Sequence, residues 1–201
     1  MKHKILLLDP PYLFRNFTEK KHGSPKKHYN GLTIEQLCKL PIGEIADDNA
    51  VMFLWIPCTK IVDGAHLELF NAWNFKPVTL AFCWRKIYKS GKPYTGLGFW
   101  CRNDVELCLL GKKGKISRKS NNVKQTIEAP VLKPHSTKPA IFRDKMVELV
   151  GDLPRIEIFA RPPIITGWSM VGYEITGRDI KEDLDDIISG KDIIVNGTKV
   201  A

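Results

Sequence analysis

A run of six apolar residues, Val51-Met52-Phe53-Leu54-Trp55-Ile56, constrains the fold of this chain more than any other feature. The run is too short for a buried helix and is rich in β-branched and aromatic side chains, so it predicts a β-strand. Since successive side chains of a strand point to opposite faces, this strand must be covered on both faces. Such strands are typical of the centre of a mostly parallel sheet. Residues 5–8, just before Asp9, predict a second strand of the same kind.

Helical patterns separate the predicted strands. Thr33-Ile34-Glu35-Gln36 fits a capping box, which predicts that a helix begins there. The predicted helices cover residues 33 to about 46, roughly 60–71, and 139–150 with Gly151 as the stop. The remaining predicted strands cover residues 78–84, 105–110 and 155–160. Because strands and helices alternate, we expect a doubly wound α/β domain with a mostly parallel sheet, and we expect Trp55, Trp73 and Trp84 in its core.

The domain is predicted to cover residues 1–177. Residues 178–201 are predicted to form a C-terminal tail, because they begin with an acidic helical pattern that ends near Ile188 and continue as a small extended segment.

Three segments carry more than the whole net charge of +9. They are residues 19–28, 85–92 and 112–124, and their glycines, serines and prolines predict loops. Scattered lysines usually form a solvated surface, but basic loops on an otherwise neutral body favour a polyanion, since lysines near phosphates release counterions. We therefore expect a nucleic acid as the partner. The lysines predicted to contact it are Lys26, Lys27, Lys86, Lys89, Lys112 and Lys113.

Composition excludes several other classes of protein. No apolar run is long enough to span a bilayer, so no membrane partner is expected. The five cysteines are odd in number and contain no Cys-x-x-Cys pair, which favours a reducing, cytoplasmic compartment and neither a disulfide framework nor a zinc site. His22, His28 and His66 show no metal-ligand spacing, so no metal is expected.

Asp9-Pro10-Pro11-Tyr12 follows the first predicted strand, where doubly wound sheets bind ligands. Asp and Pro also form ordinary turns. The segment nevertheless suits methylation of an aromatic amine, whose lone pair is delocalised into the ring. A carboxylate and a carbonyl that accept its two N–H groups would make the amine more nucleophilic, and Asp9 and Pro10 offer both. Tyr12 would stack on the base.

The tetrapeptide resembles the Asp-Pro-Pro-aromatic motif of amino-methyltransferases that act on nucleic acids. The chain is most similar to the MT-A type, which includes the catalytic subunit of the messenger-RNA adenosine methyltransferase and its phage and bacterial relatives. The resemblance covers roughly residues 4–175 in continuous order. The further matching segments are Tyr29-Asn30-Gly31-Leu32-Thr33, Phe53-Leu54-Trp55, Gly98-Phe99-Trp100, Glu106-Leu107-Cys108-Leu109-Leu110-Gly111, His135-Ser136-Thr137-Lys138-Pro139, Glu157-Ile158-Phe159-Ala160-Arg161, Gly167-Trp168 and Gly172-Tyr173-Glu174.

This resemblance implies a Rossmann-like methyltransferase fold with a circularly permuted motif order and S-adenosylmethionine as cofactor. Asp at the first motif position is what the adenine-N6 enzymes carry, whereas Ser is commoner in cytosine-N4 enzymes. Tyr29 would lie over the adenine pocket. The residues implied to bind the cofactor are Asp9, His135, Lys138, Glu157, Phe159, Ala160, Arg161 and Glu174. Val105 and Tyr173 depart from the family pattern at positions near the cofactor ribose.

Two observations from the residues qualify these roles. Glu157 lies in the middle of a predicted strand, where an acid is costly unless it is paired. Ser136, Thr137 and Pro139 would also suit a simple helix start beside His135 and Lys138.

Alternative functions remain open at this stage. RNA could replace DNA as the acceptor, and DNA is favoured only because the chain is short, like the phage and bacterial forms. The other alternative is a non-catalytic nucleic-acid-binding partner of the same fold. In such a protein the Asp-Pro-Pro-aromatic motif would be expected to decay, whereas here it is intact. Specificity would come from the loops at residues 13–30, 85–99 and 112–128, and the oligomeric state does not follow from the sequence.

Overall fold

A seven-stranded sheet forms the centre of the protein. The computed structural model describes residues 2–13, 31–98, 100–133, 137–195 and 198–199. The strands of the sheet are β1 (His3–Leu8), β2 (Ala46–Ile56), β3 (Lys76–Ile87), β4 (Val105–Lys113), β5 (Thr126–Pro130), β6 (Arg155–Ile158) and β7 (Ser169–Val171). The helices are α1 (Ile34–Cys38), α2 (Ile42–Ile45), α3 (Cys58–Val62), α4 (Ala65–Ala72), α5 (Ile141–Val150), α6 (Tyr173–Thr176) and α7 (Ile180–Ile188), and two short strands follow, β8 (Ile194–Val195) and β9 (Thr198–Lys199).

The order of the strands across the sheet is β5-β3-β4-β2-β1-β6-β7. β1 pairs in parallel with both β2 and β6, β6 pairs in parallel with β7, and β3 with β5. Only β4 runs antiparallel to its neighbours β2 and β3. The prediction of a mostly parallel, Rossmann-like α/β sheet is therefore confirmed. The chain order reverses between β1 and β6, since β1 leads to β2 on one side and β6 leads to β7 on the other.

The two apolar runs lie in the middle of this sheet, as predicted. Residues 51–56 are each at most 3% exposed, and residues 5–8 at most 2%. Trp55, Trp73 and Trp84 are buried in the core, which confirms their prediction. Two of these tryptophans also satisfy their ring N–H: Trp73 Nε1 donates to the Leu37 carbonyl (3.1 Å), and Trp84 Nε1 donates to the Ala129 carbonyl (2.8 Å).

The capping box is present, but the long helix predicted after it is wrong. Gln36 N donates to Thr33 Oγ1 (3.1 Å), and Thr33 N donates to Gln36 Oε1 (2.9 Å). The helix then ends at Cys38, because Pro41 disfavours helical backbone at the residue before it and provides no N–H. The helix predicted over residues 60–71 is likewise two helices, α3 and α4, separated at Gly64 with φ of 80°.

Two edge strands, β5 and β7, were not predicted from the sequence. Each is short, and each pairs with a single neighbour in the sheet. An edge strand needs no continuous apolar run, so its pattern resembles that of a loop. Only pairing with β3 or β6 makes these segments strands.

The predicted acidic helix near the C-terminus is α7, which ends at Ile188 as predicted. Asp179 caps it by accepting a hydrogen bond from Lys181 N (2.8 Å). Leu184 is fully buried in the same core as the sheet, so α7 packs on the domain. The boundary at residue 177 stays a prediction. None of the helices that the structure describes is long and apolar enough to cross a membrane.

Candidate active site

The segments that follow β1 and β6 leave the sheet side by side, at the carboxyl ends of these two strands. Leu8 pairs with Ile158 in the parallel register, and Asp9 N donates to the Ile158 carbonyl (3.5 Å). Asp9-Pro10-Pro11-Tyr12 therefore lies next to Phe159-Ala160-Arg161. This is the point where the strand order reverses, which is where open α/β sheets bind ligands.

The turn at Asp9-Pro10-Pro11-Tyr12 is held by hydrogen bonds on both sides. Tyr12 N donates to the Pro10 carbonyl (2.9 Å), and Leu32 N donates to the Pro11 carbonyl (2.7 Å). The Tyr12 hydroxyl donates to the Trp55 carbonyl (3.0 Å) and is buried. Burial, reinforced by the charge of Asp9, raises the pKa of Tyr12 well above its usual value. Tyr12 is therefore a neutral ring in a defined orientation at the end of the strand.

Leu32, in the described part of the segment predicted to form a gate over the adenine pocket, lies beside this turn. Leu32 forms a bridge with Tyr12, and Gly31 lies so close to Leu13 that an added Cβ would approach the Leu13 Cα to 2.8 Å. Only glycine fits there without a shift of the backbone. Tyr29, which was predicted to cover the adenine, lies outside the described residues, and so do Lys26 and Lys27.

Four side chains of alternating charge lie across the site. Lys138 Nζ is 2.6 Å from Asp9 Oδ2 and 3.2 Å from Glu106 Oε2. Glu106 Oε1 in turn is 2.8 Å from Lys86 Nζ. The Lys138 side chain is only 8% exposed, and its ammonium also lies 5.3 Å from the centre of the Trp55 ring. We call Lys86, Glu106, Lys138 and Asp9 the charge chain.

Pairing within the charge chain outweighs the cost of burial. Burial by itself lowers the pKa of Lys138, but Asp9 and Glu106 outweigh it and raise this pKa above its usual value. Burial likewise acts to raise the pKa of Glu106, and Lys138 and Lys86 outweigh it and lower this pKa. Both groups are therefore charged at neutral pH, and Asp9 is held by a cation that cannot easily lose its proton.

Glu106 was not predicted as a site residue. Its signal in the sequence was its place in the matching segment Glu106-Leu107-Cys108-Leu109-Leu110-Gly111, but that match assigned the residue no role. The structure identifies it by its contacts, since Glu106 is the group that connects Lys86 with Lys138.

A cavity of about 290 Å³ opens beside the charge chain. It is lined by the Asp9-Pro10-Pro11-Tyr12 turn and by Glu106, Lys138 and Arg161. Val105, one of the two departures from the family pattern, also lines it. A larger hollow of about 410 Å³ lies between α1, α2 and the end of α4, but none of the charge chain lines it. The smaller cavity is therefore the candidate active site.

The segment after β6 reaches the second wall of this site through Arg161. Phe159 has a positive φ of 63°, which is rare for a residue other than glycine and ends the strand abruptly. Gly172 lies directly against this turn, because an added Cβ would come within 2.8 Å of Ala160 N. Arg161 points back to α6, with its Nε 3.7 Å from Glu174 Oε1. The structure thus brings Phe159, Ala160, Arg161 and Glu174 together. Of these four, Arg161 lines the cavity, and cofactor contacts for the set stay a prediction.

Glu157 is paired within the protein. Arg143 on α5 donates to both of its carboxylate oxygens, each at 2.6 Å, and the two side chains are 11% and 7% exposed. This pair meets the requirement that a mid-strand acid have a partner. Glu157 does not line the cavity, and a direct cofactor contact for it stays a prediction. His135, a further predicted cofactor residue, lies outside the described residues, and Tyr173 is 64% exposed.

The predicted basic loops differ from the structure at several positions. Residues 85–87 belong to β3, and Lys112 and Lys113 belong to β4, so the loop prediction is wrong for them. The apolar pattern ends earlier than the strands, because backbone hydrogen bonds to neighbouring strands continue beyond the buried side chains.

The predicted substrate lysines lie in different places. Lys86 is nearly buried in the charge chain, and Lys89 lies in an exposed turn. Lys112 and Lys113 pair with Val51 and Ala50, far from the end of β1 where Asp9 lies. Lys113 Nζ also donates to the Gly43 carbonyl (3.0 Å). The structure therefore does not bring these two lysines to the candidate active site.

The described residues contain no group of three or more His, Cys, Asp or Glu side chains that could hold a metal ion.

Comparison with known proteins gives two matches. The MT-A70 family model matches residues 3–174, a range that includes both walls of the site. The chain is also similar to the Type II methyltransferase M.MunI of a Mycoplasma species, with 26% identity over 198 residues. That alignment covers 90% of this chain and 81% of the relative.

Proposed function

This chain belongs to the MT-A70 family and is a methyltransferase, and we propose that it transfers a methyl group to the N6 amine of adenine in DNA. The observation that carries the proposal is the placement of Asp9-Pro10-Pro11-Tyr12. The motif ends the central strand β1 at the point where the strand order reverses, and Lys138 holds its carboxylate 2.6 Å away.

Asp9 and Pro10 would bind the target amine. A carboxylate has two oxygens, so Asp9 can hold Lys138 through Oδ2 and still accept an N–H of the amine. The Pro10 carbonyl accepts the Tyr12 N–H and has a second lone pair for the other N–H of the amine. Two acceptors in these positions favour a tetrahedral amine with a localised lone pair, which is the form that attacks a methyl group.

Tyr12 and the charge chain would position the base and the carboxylate. The hydrogen bond from the Tyr12 hydroxyl to the Trp55 carbonyl fixes the ring that would stack on adenine. Lys138 fixes the carboxylate of Asp9, so that the amine meets an acceptor that is already oriented. Alignment of this kind supplies a large share of the rate enhancement in a direct displacement. Asp9 or water would accept the proton that the amine loses.

The residues of the site fit S-adenosylmethionine as the methyl donor. The cavity of about 290 Å³ lies at the lower end of the range of roughly 300–1,000 Å³ for small-molecule sites. Lys138 and Arg161 would bind its carboxylate, and Asp9 and Glu174 would bind its ammonium and hydroxyl groups, with His135, Phe159 and Ala160 as further predicted contacts. When bound, this cofactor supplies a methyl group on a positively charged sulfur.

DNA is proposed as the acceptor because the chain resembles the short phage and bacterial forms of the family and is similar to a Type II methyltransferase of a Mycoplasma. Its net charge of +9 suits either nucleic acid. RNA is the alternative acceptor, and the intact motif argues against a non-catalytic partner.

Nucleoside mass spectrometry tests the proposal. The purified protein is incubated with S-adenosylmethionine and either unmethylated DNA or unmethylated RNA. We expect N6-methyldeoxyadenosine from DNA and a loss of at least about 100-fold in the Asp9→Ala variant, since a positioned acid or base contributes about 10²–10⁴-fold. Asp185→Ala, which removes a half-exposed carboxylate on α7, is the matched control and should retain full activity.

Each other outcome identifies which part of the proposal fails. N6-methyladenosine from RNA alone would move the acceptor to RNA. Activity retained by Asp9→Ala would contradict the role of Asp9. No methylated nucleoside from either substrate, with S-adenosylmethionine binding shown by calorimetry, would favour the non-catalytic partner.

A further inference from the structure

Trp100 is fully exposed, at 100%, although the other four tryptophans of the chain are at most 4% exposed. It lies in the connection between β3 and β4, and Leu97 in the same connection is 90% exposed. Large apolar side chains that project together into solvent mark a surface that binds something. Resting on the proposed function, we propose that Trp100 stacks on the bases of the nucleic acid substrate and takes the place of the displaced adenine.

Contacts between the two sides of this connection bring them close together. Tyr88 N donates to the Lys92 carbonyl (2.8 Å), and the rings of Tyr88 and Tyr94 pack at 5.2 Å. Further out, the two sides of the connection press together without room for side chains. A Cβ on Gly96 would lie 2.3 Å from the Asn103 carbonyl, and a Cβ on Gly98 would lie 2.0 Å from the Cys101 carbonyl. Trp100 is therefore carried on a narrow, braced projection.

This projection starts at the rim of the candidate active site. Asn103 and Val105, at the base of its returning side, line the cavity that contains Asp9. The outgoing side begins after Ile87, next to Lys86 of the charge chain. A nucleic acid whose adenine reaches Asp9 therefore passes the base of the projection that carries Trp100.

The charges of the projection match a nucleic acid. Lys89, Lys92 and Arg102 are exposed along it, and Asp104 is the one acid among residues 88–104. Exposed cations around an aromatic ring are the combination by which proteins bind phosphates and stack on bases at the same time. A protein partner with an apolar groove would need no such cations, so the charge favours nucleic acid as the occupant.

The chemistry of the site supplies the reason for such a ring. An amine inside a duplex cannot reach a carboxylate in a cavity, so the target base must leave the stack. Base displacement leaves a gap, and apolar side chains inserted into base steps are a known way to fill one. Trp100 is the fully exposed ring on the projection that starts at the rim of the site.

The fluorescence of Trp100 tests the proposal, because it is the one exposed tryptophan. The emission of the wild-type protein is recorded during titration with a mixed-sequence duplex, while the anisotropy of a fluorescein label on that duplex reports binding. We expect the exposed, red-shifted emission to be quenched in step with binding. Trp100→Phe should lose this signal and keep binding within about 3-fold, whereas Trp100→Ala should weaken binding by about 5- to 150-fold.

Controls separate this inference from the proposed function. Val78→Ala removes another exposed apolar side chain and should bind like the wild type. If the wild type binds and methylates DNA while Trp100 emission is unchanged and Trp100→Ala is unaffected, the inference is wrong and the function stands. If the wild type neither binds nor methylates any nucleic acid, both fail. If Trp100 emission instead shifts with protein concentration and gel filtration shows a dimer, the projection is a protein interface and the inference is overturned.

Discussion

Replacement of Lys138 by methionine tests the central electrostatic feature of the site. The variant keeps an unbranched side chain but removes the ammonium that lies 2.6 Å from Asp9 and 3.2 Å from Glu106. Both carboxylates then face each other in a largely buried position without the cation that pairs them. Removing one partner of a buried ion pair costs about 3–5 kcal/mol of stability. In a chain of this size 1 kcal/mol lowers Tm by about 2–4 °C, so we expect a Tm lower by roughly 6–20 °C.

The pH dependence of this loss has a defined sign. In the wild type the pKa of Glu106 is lowered, so its pairing stabilises the protein above its unfolded pKa and is lost as the pH falls through the folded pKa. The pKa of Lys138 is raised, so its contribution is present at neutral pH and is lost only as the pH rises through that raised value. Without Lys138 the Glu106 carboxylate loses the cation that favours its charged form, so proton binding there costs the variant less than it costs the wild type. The difference between the two proteins should therefore narrow as the pH falls from neutral towards about 4.

Chemical unfolding at neutral pH and near pH 4.5 measures this difference. Lys39→Met is the matched control, because Lys39 pairs with Glu35 at the same 2.6 Å but both side chains are exposed, and we expect little change. Methyl transfer by Lys138→Met should fall by about 100-fold, since Asp9 loses the group that orients it. The reasoning would be refuted if Lys138→Met lost less than about 1 kcal/mol of unfolding free energy. It would also be refuted if the loss were the same at both pH values.

Two further predictions concern buried polar groups outside the charge chain. Glu157→Gln leaves Arg143 without its counter-charge and should cost about 3–5 kcal/mol in urea unfolding; unchanged stability with lost cofactor affinity would instead indicate direct cofactor contact. Burial lowers the pKa of His3 to about 4 from 6.5, so the folded protein binds fewer protons there than the unfolded chain and loses stability as the pH falls from 6.5 to 4. The loss amounts to about 3 kcal/mol of unfolding free energy, measured by chemical unfolding across this pH range. A His3→Gln variant whose unfolding free energy falls just as steeply with pH would contradict this prediction.

Features that depend on local pattern could be recognised from the amino-acid sequence alone. Residues 51–56 predicted a buried central strand because an unbroken apolar run has no solvent-facing side. The capping box at Thr33 depends on neighbouring residues only, and the motif Asp9-Pro10-Pro11-Tyr12 is continuous in the chain, so both could be recognised without the fold. The motif also indicated the chemistry, since Asp and Pro in that order offer an amine two acceptors and no competing proline N–H.

Tertiary structure decided the features that depend on distant residues. β5 and β7 are strands only because β3 and β6 supply their hydrogen bonds. Likewise, β4 extends to Lys113 and carries its lysines away from Asp9 because its ladder with β2 continues past the apolar run.

The candidate active site shows the same division between local and distant information. Lys138 pairs with Asp9 across 129 residues of chain, and Arg143 on α5 pairs with Glu157 on β6. A side chain's charge can be read from the sequence, but its partner is set by strand register and helix packing. The sequence therefore determined which groups the site contains, and only the fold determined which of them meet.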